Sequence, residues 1–357
     1  MRILWFSHRD IEHPSSGGDE RAIYEITKRL VASDNDVTWV ACRFPESQRE
    51  ATRDGIRILR PGHALVTHLS VASIIKSTRP EVIVDDLGHV IPWFSEELTD
   101  TPGTAFFLHL HARTLSGQVN SLFVPGLTYL ERQYRHIYPR WPFVTISTHS
   151  LQDLVELGIP ERRVTRIPLG VDLQRFHPSP KNQNPIVVYF GGFRDYKRPW
   201  VPVQLYKKLQ QSVKGVKLVM IGDGPIRARV QSAARDSGIE FVGKVNPDRL
   251  SELVARSWLN VHSSVSEGWG LSIIEASACG TPTVAFAVPG VAETIENGFN
   301  GILVPDGNLD ELADAATGLL NHLDDWPERS RRLAERYTWD ATAANWLSHL
   351  ERTLTEK

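Results

Sequence analysis

The strongest constraint on this chain is a repeated alternation, in which short apolar runs of strand length are followed by stretches with helical periodicity. It opens with Arg2–Ser7 as a strand, Arg21–Ser33 as a helix and Val37–Ala41 as a strand, then continues with strands at Val82–Asp85, Thr104–Leu110 and Phe143–Ile146. The segments between these runs are long enough to hold crossover helices, which implies a mainly parallel sheet covered on both faces. A second series comes next, with strands at Ile186–Phe190, Val216–Ile221, Ile239–Val242, Leu259–Ser263, Thr283–Phe286 and Gly301–Val304. Helical stretches such as Val201–Gln211 and Asp248–Ser257 separate them. The pattern predicts an α/β chain with two doubly wound domains.

Between the two series, around Gly170–Pro180, periodicity lapses and Pro, Gly and polar residues concentrate, as in an exposed linker. A chain of 357 residues also exceeds the usual size of one hydrophobic core. The expected domains are therefore 1–172 and 173–339, facing each other across a cleft. The tail carries Trp339, Ala343, Trp346, Leu347, Leu350 and Leu354 at helical spacing, which predicts a terminal amphipathic helix that docks on one of them.

Composition excludes several functions. Forty basic against 42 acidic residues give a formal charge of −2, against a dedicated nucleic-acid binder, so any anionic ligand must be caught locally. Cys42 and Cys279 are far apart and lack metal-ligand spacing, which fits a reducing cytoplasm. The apolar run at the start is too short for a signal peptide, and no stretch of membrane-spanning length occurs. Asp85-Asp86 and Asp324-Asp325 read as solvated acids rather than metal ligands, since neither has the Asp-X-Asp form. Arg132, Arg135 and Arg140 interleave with Tyr129, Tyr134, Tyr138 and Trp141. This suggests a core-facing helix with a solvated basic side, with peripheral contact to a membrane or a lipid-linked acceptor as the alternative.

The chemistry concentrates in Ser266-Glu-Gly-Trp-Gly-Leu-Ser-Ile-Ile-Glu275, a Gly-rich loop leading into a short helix that starts near Gly270 and stops at Gly280-Thr-Pro282. Unpaired N–H groups at a helix start form an anion site, and preceding glycines let a phosphate approach the backbone. A diphosphate fits at Gly270, Leu271 and Ser272. Glu275, one turn into the helix, is placed to accept hydrogen bonds from two vicinal hydroxyls, such as those of a ribose. A Gly-rich loop alone also makes an ordinary turn, so weight falls on the pair Glu267 and Glu275. A dinucleotide reading of Gly222-Asp-Gly-Pro-Ile-Arg227 fails, because Arg227 stands where the third glycine belongs.

This segment resembles the signature of retaining nucleotide-sugar glycosyltransferases of the GT-B fold, glycosyltransferase family 4, also described as glycosyl transferases group 1. Their hallmark is two glutamates separated by seven residues. The resemblance implies that Glu267 faces the donor sugar, that Glu275 holds the ribose, and that Gly270, Leu271 and Ser272 offer N–H groups to the diphosphate. Gly191-Gly-Phe-Arg-Asp-Tyr-Lys197 resembles the family's Gly-Arg-Leu, three residues, then Lys. Lys197 then meets phosphate, while the expected arginine is Gly192 and Arg194 stands two residues on. Gly243 and Lys244, after Val242, match strand ends that surround the nucleotide base. In the first domain Gly17 and Gly18 resemble the family's Gly-Gly loop, which implies that they contribute to donor binding. His111, in Phe106-Phe-Leu-His-Leu-His111, resembles the histidine that approaches the donor sugar, with His109 as alternate and both on one face by strand alternation.

By the same resemblance, the chain would be a metal-independent retaining hexosyltransferase of glycan or glycolipid biosynthesis. It would use a UDP- or GDP-sugar and no cofactor, and act on a carbohydrate, lipid-linked or small-molecule acceptor. Its terminal helix 340–357 would cross back to the first domain. A nucleotide-sugar epimerase of the same architecture, or a non-catalytic nucleotide-sugar-binding protein, is the competing reading.

Overall fold

The computed structural model describes residues 1–111, 122–235 and 237–355, so the last two residues of the expected terminal segment lie outside it. The chain forms two compact units, one of Met1–Leu169 with Trp339–Lys357, the other of Gly170–Thr338.

The strands of the first unit are β1 (Arg2–Phe6), β2 (Asp36–Val40), β3 (Glu50–Arg53), β4 (Ile56–Leu59), β5 (Val82–Asp86), β6 (Gly103–Phe107), β7 (Phe143–Thr145) and β8 (Val164–Arg166). They form one sheet in the order β3-β4-β2-β1-β5-β6-β7-β8. Every pairing is parallel except β3 with β4. That hairpin is absent from the sequence reading, because its strands are four residues long and only Ile56 and Ile58 are buried. Its helices are α1 (Gly18–Ala32), α2 (Ala64–Thr78), α3 (Ser95–Leu98), α4 (Val124–Glu131), α5 (Tyr134–Ile137) and α6 (Thr148–Glu156). β6 ends at Phe107, so the expected strand Thr104–Leu110 is three residues too long. His109 and His111 therefore stand on the loop after it.

In the second unit the strands are β9 (Ile186–Phe190), β10 (Lys217–Ile221), β11 (Glu240–Gly243), β12 (Leu259–His262), β13 (Thr283–Phe286) and β14 (Gly301–Val304). They run parallel in the order β11-β10-β9-β12-β13-β14. α7 (Trp200–Ser212), α8 (Arg227–Ala233), α9 (Pro247–Ala255), α10 (Leu271–Ala278), α11 (Leu309–Asn321) and α12 (Trp326–Ala334) cover it. One face buries Val187, Leu218, Val261 and Val284 with Leu205 and Leu312; the other buries Val188, Val219 and Ile274 with Leu333. Strands buried on both faces account for the near-continuous apolar runs in the sequence.

α13 (Trp339–Thr355) belongs to the first unit. Trp346 lies with its ring 4.8 Å from that of Trp5 in β1 and 5.0 Å from that of Phe106 in β6. His349 Nε2 is 3.1 Å from Thr104 Oγ1, and Arg29 of α1 pairs with Asp340. The apolar spacing noted at the tail is the stripe that makes these contacts.

Candidate active site

The second sheet reverses its winding between β9 and β12, which brings two loops together at the carboxyl ends of those strands, where open α/β sheets bind ligands. The loops are Gly191–Arg198 and Ser263–Gly270, and a backbone frame joins them. Arg198 donates through Nε to the Ser263 carbonyl (2.6 Å) and through Nη2 to that of Ser264 (2.7 Å). Ser263 Oγ donates back to the Lys197 carbonyl (2.8 Å), and the Val265 N–H to Tyr196 O (2.8 Å).

That frame holds Lys197 against Glu267. Lys197 Nζ and Ser264 Oγ both donate to Glu267 Oε1, and His262 Nε2 stands 3.1 Å from the same oxygen. His262 Nε2 completes no hydrogen bond there, while its Nδ1 lies 3.2 Å from Ser272 Oγ in the first turn of α10. Burial acts to raise the Glu267 pKa, but the Lys197 charge and the nearby His262 ring outweigh it. The carboxyl is held well below its usual range and stays ionised.

Two glycines shape the surroundings. Gly270 sits before α10 at φ +71°, and a Cβ there would lie 3.0 Å from Thr294 Oγ1. Gly290, at φ +75°, lies so close to the Glu267 backbone that a Cβ would come within 1.9 Å of its carbonyl oxygen, while the Glu267 N–H donates to Pro289 O (3.0 Å). α10 thus begins where the sequence places it, and the N–H groups of Leu271 and Ser272 stand in its first turn, ahead of any helical carbonyl. Glu275 lies one turn in and is 5% exposed.

The other second-unit residues gather at the same sheet edge. Gly243 ends β11 at a register shift opposite Ile221, and its carbonyl accepts from the Gly222 N–H (2.8 Å); Lys244 comes next in the chain. The Arg227 guanidinium lies 3.5 Å from where a Gly243 Cβ would stand, so a long cation occupies the turn that a dinucleotide fold would leave to glycine. Arg194 folds back over Gly192, its Cγ 3.8 Å and its Nε 3.9 Å from the place of a side chain at 192.

The first sheet reverses between β1 and β5. The Gly17 N–H, expected to meet a ligand, donates to the Glu20 carboxylate (2.7 Å). Gly18 opens α1 beside Asp19 and Glu20, so this helix start is already supplied with negative charge. His111 is held by protein groups on both sides. Its N–H donates to Glu131 Oε1 (2.7 Å), Nδ1 lies 3.3 Å from that oxygen, and Nε2 lies 2.8 Å from Gly88 O. Its ring is 4.6 Å from that of His109, so the two do come together, through the loop rather than by strand alternation. Nearby, His8 stacks on His89 at 4.5 Å and His68 on Trp93 at 4.3 Å. Burial and neighbouring charges lower the pKa of His8 to about 3 and of His89 to about 2.

Asp85 and Asp86 are not solvated. Both are buried at the end of a central strand. Asp85 accepts from Ser95 Oγ (2.7 Å), the Ser95 N–H (3.2 Å) and Tyr138 Oη (2.9 Å), and burial pushes its pKa up to about 7. Burial and the neighbouring Asp19 charge raise that of Asp86 as well. Asp325 is exposed and pairs with Arg329, as a solvated acid would. In the basic aromatic stretch Tyr134, Tyr138 and Trp141 are buried while Arg140 pairs with Glu96, the core-facing arrangement. Tyr129 is exposed, as are Leu122 and Phe123. Among the described residues no helix is long and apolar enough to cross a membrane.

Two family models together match most of the chain, "Glycosyltransferase Family 4" over residues 16–175 and "Glycosyl transferases group 1" over residues 171–337. The chain belongs to the group 1 glycosyltransferases. It is 32% identical over 225 residues to D-inositol 3-phosphate glycosyltransferase 2 of Catenulispora acidiphila, covering 56% of this chain and 53% of that protein. It is 34% identical over 208 residues to N-acetyl-alpha-D-glucosaminyl L-malate synthase of Bacillus anthracis, covering 54% and 53%. The matched region spans about half the length of these relatives.

Among solved structures it is similar to sucrose-phosphate synthase from Thermosynechococcus elongatus, with TM-score 0.81, 20% identity and 99% of both chains covered. It is also similar to Anabaena Alr3699/HepE in complex with UDP-glucose, with TM-score 0.77, 17% identity, and 99% and 100% covered. These place the group 1 chain in the GT-B fold of two Rossmann-like units. Sequence reasoning missed His262, Ser264, Arg198 and Glu131, residues whose importance arises only from strands and loops far apart in the chain.

Proposed function

We propose that this chain moves a hexose-type sugar from a UDP- or GDP-sugar to an acceptor hydroxyl, with retention of configuration and without an activating metal. The observation that carries the proposal is the carboxylate of Glu267, held ionised by Lys197, Ser264 and His262 beside the start of α10. Lys197 and the positive end of α10 suit the charge that develops on a departing nucleotide diphosphate. In this reading the N–H groups of Gly270, Leu271 and Ser272 take the diphosphate and Glu275 takes the ribose. Arg194 supplies a second cation, and Gly243 and Lys244 border the base.

As the bond from the sugar carbon to the phosphate oxygen breaks, the acceptor oxygen bonds the same carbon from the same face and its proton passes to the leaving phosphate. Glu267 and His111 position the oxocarbenium-like sugar. Donor binding is assigned to 173–339 together with Gly17 and Gly18, and acceptor selection to 1–172. The acceptor is a carbohydrate, small molecule or lipid-linked glycan, the last reached by peripheral contact with a cytoplasmic membrane face.

The test is a thermal-shift screen of UDP-, GDP- and ADP-sugars, then turnover with and without EDTA and NMR of the product anomer. A nucleotide that stabilises wild type but not Glu275→Ala supports the donor site. An inverted product overturns the stereochemistry, and a new nucleotide sugar formed from donor alone would instead identify an epimerase.

A further inference from the structure

Glu131 is the last residue of α4, where a carboxylate opposes the negative end of the helix dipole, and it is 1% exposed. Such a placement is costly unless a specific partner offsets it. Its Oε1 receives the His111 N–H at 2.7 Å and faces the imidazole Nδ1 of the same residue at 3.3 Å. One oxygen therefore fixes both the backbone and the ring of His111. On the other side Nε2 faces the Gly88 carbonyl at 2.8 Å. A carbonyl and a carboxylate only accept, so the ring satisfies both contacts only with a hydrogen on each nitrogen.

We infer that Glu131 is a positioning residue for the transfer reaction, which holds His111 as a hydrogen-bond donor at the carboxyl edge of the first sheet. The inference rests on the proposed role of His111 toward the donor sugar. The Nδ1 side is committed to Glu131, whereas the hydrogen that Nε2 gives to Gly88 is the one a sugar oxygen can take over. His111 then works by donating a hydrogen bond, not as a base. Among the described residues, the titratable groups near the ring include His109 on its own segment, His89 after β5, and His8 after β1. Both His8 and His89 are kept neutral by burial and neighbouring charge.

The experiment compares full-length wild type, Glu131→Gln, Glu131→Ala, His111→Asn and the double variant Glu131→Gln/His111→Asn. UDP-glucose and GDP-mannose serve as donor probes, and the His111 ring signals are followed by NMR across pH. The glutamine oxygen still accepts the backbone N–H but offers no charge to Nδ1. Expected is a kcat about 10- to 100-fold lower in Glu131→Gln with donor KM nearly unchanged. The double variant should fall no further than His111→Asn. In the NMR series the His111 ring-nitrogen signals should shift in Glu131→Gln relative to wild type. Unmoved His111 ring signals overturn the inference whatever the protein's activity, as do independent, multiplying losses in the double variant. Shifted ring signals in a protein that turns over neither probe nor any other nucleotide sugar would keep the clamp and reject the transferase reading, so the two failures are distinct.

Discussion

Lys197→Met tests the centre of the site. The side chains of Lys197 and Glu267 are 21% and 12% exposed, so their contact is only partly screened by water. Removing a charge-assisted hydrogen bond costs about 1.5–3 kcal/mol, and a fully orphaned buried charge costs more. Here Ser264 continues to donate to the same oxygen and His262 stays beside it, so the lower part of the range applies, about 2 kcal/mol. For a unit of this size that corresponds to a fall of about 4–8 °C in Tm by differential scanning calorimetry. The loss should be specific to the pair. Adding Glu267→Gln removes the charge left behind, so the double variant should recover about 1–2 kcal/mol relative to the sum of the single effects.

The pH dependence stems from the lowered pKa of Glu267. The unfolded chain protonates this carboxyl near its ordinary value of 4.5 while the folded chain keeps it ionised, so the stability it contributes is present above that pH and is lost as pH falls below it. Lys197→Met should flatten that acid-side slope. Turnover should fall about 100- to 1,000-fold at every pH, as for a lost transition-state donor. Additive stability effects in the double variant, or an acid limb identical to wild type, would refute the coupling on which the site is built.

Gly290→Ala places a Cβ in the space of the Glu267 carbonyl at a left-handed backbone angle, and should cost at least about 2 kcal/mol in urea unfolding while weakening nucleotide binding in the folded fraction. Arg194→Ala should raise the Kd for UDP or GDP by about 10-fold in calorimetric titration, and Gly192→Arg should restore part of that loss from the neighbouring position. Asp85 has a folded pKa of about 7 against an ordinary 3.8, so its protonated form contributes stability that is fully present below about pH 4 and lost as pH rises through about 7. Relative to Asp85→Asn, wild type should therefore lose stability across that window; a constant difference in urea unfolding would exclude Asp85 as the group responsible.

The fold was legible because its signal is local and repeated. Ile186–Phe190 and Thr283–Phe286 are apolar on both faces, and that continuity is what a central parallel strand requires. The β3–β4 hairpin escaped notice because strands of four residues, with the outer one almost wholly exposed, bury too little to write a pattern. α10 was legible for a related reason: its glycine, its first turn and Glu275 all lie within a few residues, and helix geometry converts that spacing directly into position.

Spacing cannot convey which distant residues converge. His262 is an unremarkable strand residue in sequence, and it matters because the β12 end stands beside both Glu267 and Ser272. Glu131 would pass for a surface acid on a helix until the loop after β6 brings His111 to it. Asp85-Asp86 was misread by the same mechanism, since the solvated reading holds for any acid pair unless the strand bearing it is central, and its centrality is set by strand order. Charged groups at the carboxyl edge of a doubly wound sheet are therefore poorly judged from their neighbours in sequence. At these edges burial is decided by the winding order, and the order also decides which of them share a ligand.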